Sequence, residues 1–292
     1  MKILKSKTFL TLLVLLSTVG FFTTAFLMNE RPKVPEVQSD PAAHSGYSTV
    51  SMLVDLMQAQ LEGRGGWLPN DPILTPGYFL DNVPNFQLGV LQILRHGSRV
   101  LRDNLTRQRT SDAVHKEVDL AYSKFANDPF KWWMPSAEGA FMSGSEALRR
   151  FRADLGGQAL FYPRADNLVQ LLEAIVSELG ATNTRLMRAS EPGAVSWFQI
   201  DDNFYYAQGV AHASLGLLRA VKVDFDKVLT DKNAMEILDL ILKSLEDSQF
   251  NPLLVTNGDK AGLMANHSNN LKAFLDDARQ KLNSLISILR QG

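Results

Sequence analysis

The 292-residue chain contains no cysteine. This absence excludes a thiolate nucleophile, cysteine-type zinc sites, iron–sulfur clusters and the lipid-modified cysteine of a lipoprotein. It also suits an oxidising compartment, where a stray thiol would be a hazard. Any chemistry, and any attachment to a membrane, must therefore come from other residues.

Motifs of common catalytic sites are missing as well. The sequence has no HExxH, no Ser-x-x-Lys, no GxSxG, no phosphate-binding loop and no complete calcium loop. None of the five histidines forms a pair with the i, i+4 spacing of a helical metal site; they are His44, His96, His115, His212 and His267. We therefore expect no metal ion and no cofactor.

A strong charge of one sign is also lacking, since the net charge is −1. All 31 acidic residues but only 27 of the 30 basic ones follow residue 28, which leaves a charge of about −4 on that part. A mildly acidic body argues against nucleic-acid binding.

One stretch, Thr8–Met28, has no charged residue, and Lys2, Lys5 and Lys7 precede it. At 1.5 Å per residue its 21 residues span about 30 Å, the thickness of a bilayer's hydrocarbon core. The pattern predicts a transmembrane helix, with residues 1–7 in the cytoplasm and the rest across the membrane. The alternative is a cleaved signal peptide, but the apolar run continues past the weak small-residue site at Thr23 and Ala25.

Residues 29–47 contain Pro32, Pro35 and Pro41 among polar residues and predict an extended tether. In polyproline-like form the tether could reach about 60 Å, so the body could stand off the membrane or fold back onto it.

The 3.6-residue period dominates residues 48–292 and predicts an all-α, bundle-like domain of about eight helices. Ser143 with Glu146 resembles a capping box and predicts a helix start there. The broad apolar face of Ile237–Leu245 predicts a central helix. Gly209 and Gly216, seven residues apart, predict the close approach of a neighbouring helix.

Two irregular segments carry unusual apolar content. Gly63–Gly89 holds four prolines, and its residues 67–80 carry seven large apolar side chains; Trp132–Phe141 has a similar aromatic, proline-interrupted composition. Disorder would leave these side chains in water, so we expect both segments to pack across helix ends, either capping the core or forming the lip of a docking surface. The predicted binding residues are aromatic, as is common at interfaces; they are Trp67, Tyr78, Phe79, Trp132 and Trp133.

A stripe of arginines is predicted on the helix after Asn85. Steps of four, three and seven place these residues on one side of the helix, beside its leucine face; they are Arg95, Arg99, Arg102 and Arg109. Such a stripe could contact lipid headgroups or other anionic groups, or it could be a solvated face paired with acidic residues.

Four short sequence motifs resemble those of a known family: GGWLPND (65–71), LDNVPNFQLGVL (80–91), LRDNLTRQRTS (101–111) and NDPFKWWMPSAE (127–138). Together with the N-terminal apolar stretch, they resemble the proteobacterial membrane-anchored proteins grouped as domain of unknown function 2333, over nearly the whole chain. The resemblance implies an inner-membrane protein with a periplasmic body. It implies no activity and no site residues.

These observations favour a protein that acts by binding, as a scaffold or accessory subunit of an envelope complex with a protein partner. Two other functions are alternatives to this binding role. A peptidoglycan-acting enzyme could use Glu138 as its single catalytic glutamate, although Ser136 as helix cap gives that glutamate a structural explanation. A carrier of lipid or another apolar ligand would need an enclosed apolar cavity.

Overall fold

The structure, a computed structural model, describes residues 2–38, 40, 44–109, 111–190, 196–252, 254–258 and 264–291. Within these ranges it contains ten α-helices and no β-strand, which confirms the predicted all-α class. The helices are α1 (Lys2–Met28), α2 (Tyr47–Leu61), α3 (Asn82–Val100), α4 (Lys116–Phe125), α5 (Ala137–Ala153), α6 (Ala165–Ser190), α7 (Trp197–Asp224), α8 (Asp226–Asp231), α9 (Met235–Asp247) and α10 (His267–Arg290).

Helix α1 contains the charge-free stretch. Its segment Thr8–Met28 has a mean hydropathy of 2.1 and is long and apolar enough to cross a membrane. None of its most apolar window is buried against the rest of the protein. The large apolar side chains from Phe9 to Val19 are exposed, and an uncovered apolar helix of this length is unfavourable in water.

Helix α7 lies at the centre of the body. It packs against α2, α3, α6, α9 and α10, and nearly every side chain from Phe204 to Val221 is buried. Its closest neighbour is α3. A Cβ at Gly209 would lie 2.0 Å from the Phe86 carbonyl oxygen, and a Cβ at Gly89 would lie 2.2 Å from the Tyr206 carbonyl oxygen. The predicted close approach at Gly209 is therefore confirmed, because only glycine lets the two backbones meet.

The prediction that Ile237–Leu245 forms the central helix is wrong. This segment belongs to α9, which buries one face only and leaves Leu240 exposed. The predicted helix start at Ser143 is also wrong, because α5 begins at Ala137 and runs through that position. Ser136 caps α5 instead, and its hydroxyl accepts a hydrogen bond of 3.2 Å from the Gly139 N–H.

The described residues between positions 29 and 46 lie along α7 rather than forming a free tether. Arg31 contacts Gln208, Val34 packs beside Gly216, and the Gly46 N–H donates to the Asp224 carboxylate at 3.0 Å. These contacts are spread along α7 from Gln208 to its C-terminal end, about 25 Å along the helix axis. Of the segment, residues 39 and 41–43 lie outside the described ranges.

Helix α2 then runs back toward α1. Just after α2 ends, the Met28 methyl group lies 3.1 Å from where a Cβ on Gly65 would stand. The start of the irregular segment therefore lies against the C-terminal end of α1, and the C-terminal end of α7 is the opposite end of the body.

Candidate functional site

The two segments predicted as irregular meet at the end of the body next to α1. The prediction is wrong for their last residues, because residues 82–89 belong to α3 and residues 137–141 belong to α5. Trp67 donates from its indole nitrogen to the Pro129 carbonyl at 2.8 Å, and the Asn70 amide donates to the Lys131 carbonyl at 3.1 Å. Because these bonds join side chains of the first segment to the backbone of residues 129–131, directly before the second segment, the two segments form one continuous surface.

Trp67 is the buried part of this junction. Its side chain is 0% exposed and packs edge to face against Phe141, with ring centroids 4.9 Å apart. The prediction of Trp67 as an exposed docking residue is therefore wrong. Its ring fills the space under the junction, where it gains core packing and a hydrogen bond at the same time.

The outer face of the junction is apolar and exposed. Leu74 is 91% exposed and Met134 is 80% exposed, which is uncommon for side chains of this kind in a folded protein. We call the whole set the aromatic surface; it comprises Ile73, Leu74, Tyr78, Phe79, Phe130, Trp132, Trp133 and Met134. Four of the five predicted docking residues belong to it. The expectation that the first segment packs its large apolar side chains across the helices holds for Trp67 and Leu68 but fails for the loop from Ile73 to Phe79.

The aromatic surface is continuous with α1. The rings of Phe79 and Phe21 are 5.6 Å apart in an edge-to-face arrangement, and Tyr78 packs in the same way on Phe79 at 5.5 Å. Phe21 lies inside the apolar stretch of α1, so the loop that carries Phe79 lies beside the candidate membrane span.

The predicted arginine stripe is only partly a surface. Arg95 donates to the carbonyls of Phe125 and Asn127 at 2.8 Å each and so caps the C-terminal end of α4. Burial lowers the pKa of Arg95 below its ordinary value. This arginine is therefore a structural residue rather than a free cation.

The other three arginines differ in their surroundings. Arg102 donates to Asp103 at 2.7 Å and lies 4.0 Å above the Tyr122 ring. Arg99 contacts the His96 ring, while Arg109 lies beyond the helix end. A π-helical turn at Leu101–Leu105 ends this helix, which breaks the spacing on which the stripe depends.

A polar cluster that the sequence did not reveal lies between α3, α6 and α7. The His96 imidazole contacts the Glu178 carboxylate at 3.2 Å, and the Tyr206 hydroxyl donates to the same carboxylate at 3.0 Å. Burial acts to raise the pKa of Glu178, but the hydrogen bonds from His96 and Tyr206 outweigh it, so this pKa lies below its ordinary value. The pair is nearly closed to solvent, with side-chain exposures of 17% for His96 and 9% for Glu178. The cluster therefore joins three helices and offers little room for a substrate.

A groove of about 800 Å³ lies where residues 29–34 cross α7. It is open to solvent and lined by rings as well as by charged and amide side chains, including Arg31, Tyr205, His212 and Asn251. His212 is buried, and burial lowers its pKa to about 3. Its Nε2 has no hydrogen-bond partner among the described residues. This groove differs from the enclosed apolar cavity that a carrier of apolar ligands requires.

Glu138, the candidate catalytic glutamate, lies in the first turn of α5 next to the capping Ser136. A carboxylate there is favoured by the helix dipole, which gives Glu138 a structural role. Within the described part of the chain, no group of three or more histidine, cysteine, aspartate or glutamate side chains could hold a metal ion.

Comparison with known proteins finds no curated protein and no solved structure that matches this chain. A family model does match, over residues 5–196 and again over 191–292, and these matches include all four sequence motifs of the resemblance. The matched family is described as "Uncharacterized protein conserved in bacteria (DUF2333)". Because the matches together extend from residue 5 to the last residue, the chain belongs to this bacterial family.

Proposed function

We propose that this protein is a single-pass protein of the bacterial inner membrane whose periplasmic body acts by binding. In this proposal it is a scaffold or accessory subunit of an envelope complex. The apolar stretch of α1 with three lysines before it supports the anchor and the orientation. The absence of cysteine suits the periplasm.

The observation that carries the binding role is the attachment of residues 29–38 to the body. Arg31 lies three residues after α1 ends, and it contacts the side-chain oxygens of Gln208 and Asn251. Its guanidinium group also lies 5.0 Å from the centre of the Tyr205 ring. The body is therefore held at a fixed height and orientation relative to α1.

A fixed position suits a protein that presents surfaces to neighbours in the same membrane. An enzyme that acts on the cell wall would instead gain from a long and mobile connection, because its substrate lies at a distance from the bilayer. The contacts of Arg31 with the body support the first arrangement.

The test separates the body from α1 without disturbing Arg31. A flexible Gly/Ser insert of about 20 residues between Met28 and Asn29 would give the body about 25 Å of freedom. The matched control carries the same insert after Gly292. Photo-crosslinking in intact cells should capture a discrete set of membrane proteins with the wild type and the control, and that set should be lost with the insert after Met28.

Two results would refute the proposal. One is a partner set that does not change when the insert separates body and anchor. The other is peptidoglycan cleavage in a zymogram that is present for the wild type and lost in Glu138→Gln, since this result would make the protein an enzyme. A reporter fused after Gly292 that is active only in the cytosol would refute the proposed location.

A further inference from the structure

The loop that carries Phe79 reaches below the end of α1. Phe21 precedes Met28 by seven residues, which is about 10 Å along the helix axis. Phe79 packs on Phe21, so the tip of the loop lies about 10 Å inside the apolar stretch. If α1 lies in a bilayer, Phe79 lies within the leaflet that surrounds the C-terminal end of α1, since one leaflet contributes about 15 Å of hydrocarbon.

The composition of the aromatic surface fits that depth. Residues 72–80, PILTPGYFL, contain no charged side chain, and neither do residues 132–137, WWMPSA. The flanking carboxylates, Asp71 and Asp81, lie at the two ends of the first loop. Tryptophan and tyrosine are the residues enriched where membranes meet water, because their rings are apolar and their N–H and O–H groups are not.

The loop backbone also pairs three of its seven N–H groups internally. The N–H groups of Thr75, Tyr78 and Leu80 donate to carbonyls within the loop at 3.0 to 3.3 Å. Pro72 and Pro76 have no N–H to satisfy. A loop that pairs its own backbone loses less when it leaves water than a fully solvated one, because unpaired N–H groups are costly in an apolar medium.

Only one side of α1 is covered by the loop. Phe21, Ala25 and Met28 are partly buried against the body, while Phe22 and Phe26 on the other sides are exposed. Lipid that surrounds the open sides of α1 would therefore reach the exposed side chains of the aromatic surface beside it.

From this geometry we propose that the aromatic surface is a second membrane attachment, which inserts into the leaflet next to the C-terminal end of α1. The bilayer, rather than a protein, is the occupant of this surface. The inference rests on the anchor in the proposed function and adds to it, because two points of attachment hold the body flat against the membrane.

Since the chain has no native cysteine, single cysteines can be labelled without background. The test positions are Leu74, which is 91% exposed, and Trp133, which is 68% exposed, so their substitution removes little packing. The control is Val223, which is 43% exposed at the opposite end of α7. Each full-length variant, Leu74→Cys, Trp133→Cys or Val223→Cys, is labelled with an environment-sensitive fluorophore and reconstituted in phosphatidylethanolamine–phosphatidylglycerol vesicles.

The expected result is a shift to shorter emission wavelength at positions 74 and 133, with loss of emission when the vesicles contain lipids spin-labelled near the headgroup. The label at position 223 should show neither effect and should be quenched by aqueous iodide present on both sides of the membrane. Iodide quenching at 74 and 133 equal to that at 223 would overturn the proposal.

A shift at 74 and 133 without quenching by the spin-labelled lipids would also overturn it. That result would mean that a second copy or another protein covers the aromatic surface. The outcome is independent of the test of the proposed function, because lipid quenching reports depth in the bilayer and crosslinking reports partners.

Discussion

Replacing Trp67 with alanine is expected to lower the free energy of unfolding by about 4 kcal/mol. A buried tryptophan removes about 200 Å² from water, which corresponds to about 5 kcal/mol at 25 cal/mol per Å². The hydrogen bond to the Pro129 carbonyl adds about 1 kcal/mol, and partial collapse of the cavity returns some of the total. The two contributions add to an upper value of about 6 kcal/mol, and the apolar surface that alanine retains and the relaxation of the cavity reduce it to about 4 kcal/mol, within the range of about 3–5 kcal/mol for Trp→Ala in protein cores.

The assay is thermal unfolding of the full-length protein in detergent micelles, followed by circular dichroism. For a domain of this size, about 4 kcal/mol should lower Tm by about 10 °C. Trp67→Phe keeps most of the packing against Phe141 but loses the indole hydrogen bond, so its loss should be about 1–2 kcal/mol. Trp133→Ala is the matched control and should change stability by less than about 0.5 kcal/mol, because its side chain is exposed.

A loss of less than about 1 kcal/mol in Trp67→Ala would contradict the buried packing of Trp67. An equal loss of stability in Trp133→Ala and Trp67→Ala in micelles would also contradict it. Either result would mean that the two segments do not meet over Trp67 in the way the structure shows.

Three further predictions concern a backbone contact and two titrating groups, all measured by chemical denaturation. Gly209→Ala should destabilise the protein by about 3 kcal/mol or more, because the new Cβ would meet the Phe86 carbonyl, whereas Gly180→Ala, which faces a flexible arginine, should be neutral or slightly stabilising. Burial lowers the pKa of His212 to about 3, so as the pH falls the unfolded chain binds this proton before the folded chain does, and stability is lost below about pH 6.5. Between pH 7 and pH 5 the free energy of unfolding of the wild type should fall by about 2 kcal/mol more than that of His212→Gln. Equal losses in the two proteins would contradict this prediction. Burial and neighbouring carboxylates raise the pKa of Asp202 to about 6. The contribution of this group to the stability of the folded protein is therefore fully present below about pH 4 and is lost as the pH rises through about 6. After allowance for solvent screening, Asp202→Asn should be about 1 kcal/mol more stable than the wild type at pH 8 and no more stable at pH 4.

Several features could be predicted because they depend on neighbours along the chain. The candidate membrane helix follows from 21 uncharged residues, and the helical class of the body follows from the regular apolar spacing of helices such as α10. The small residue at Gly209 indicated a close helix contact, although the sequence did not identify α3 as the partner. The false helix start at Ser143 shows the limit of such signals, because a capping pattern inside a helix resembles one at its start.

The candidate site was predictable in composition but not in exposure. Trp67 and Trp133 occur in similar segments with proline nearby, and the sequence gives no reason to separate them. One ring is fully buried and the other is 68% exposed, because Trp67 meets Phe141 and the Pro129 carbonyl while Trp133 meets neither. That difference decides which of the two can contact a membrane or a partner.

Two arrangements depend wholly on contacts between distant parts of the chain. Arg31 binds side chains 177 and 220 residues away, and His96 meets Glu178 at a separation of 82 residues. Neither set of contacts corresponds to a local spacing pattern in the sequence.

By itself, the sequence determined the helical class, the apolar N-terminal stretch and its lysine flank, because periodicity and charge are local properties. Only the tertiary structure decided that residues 29–38 lie along α7, and that the loop with Phe79 lies beside Phe21. The physical reason is that burial is a property of the whole packed body: the same apolar side chain is core or surface according to which distant segment covers it.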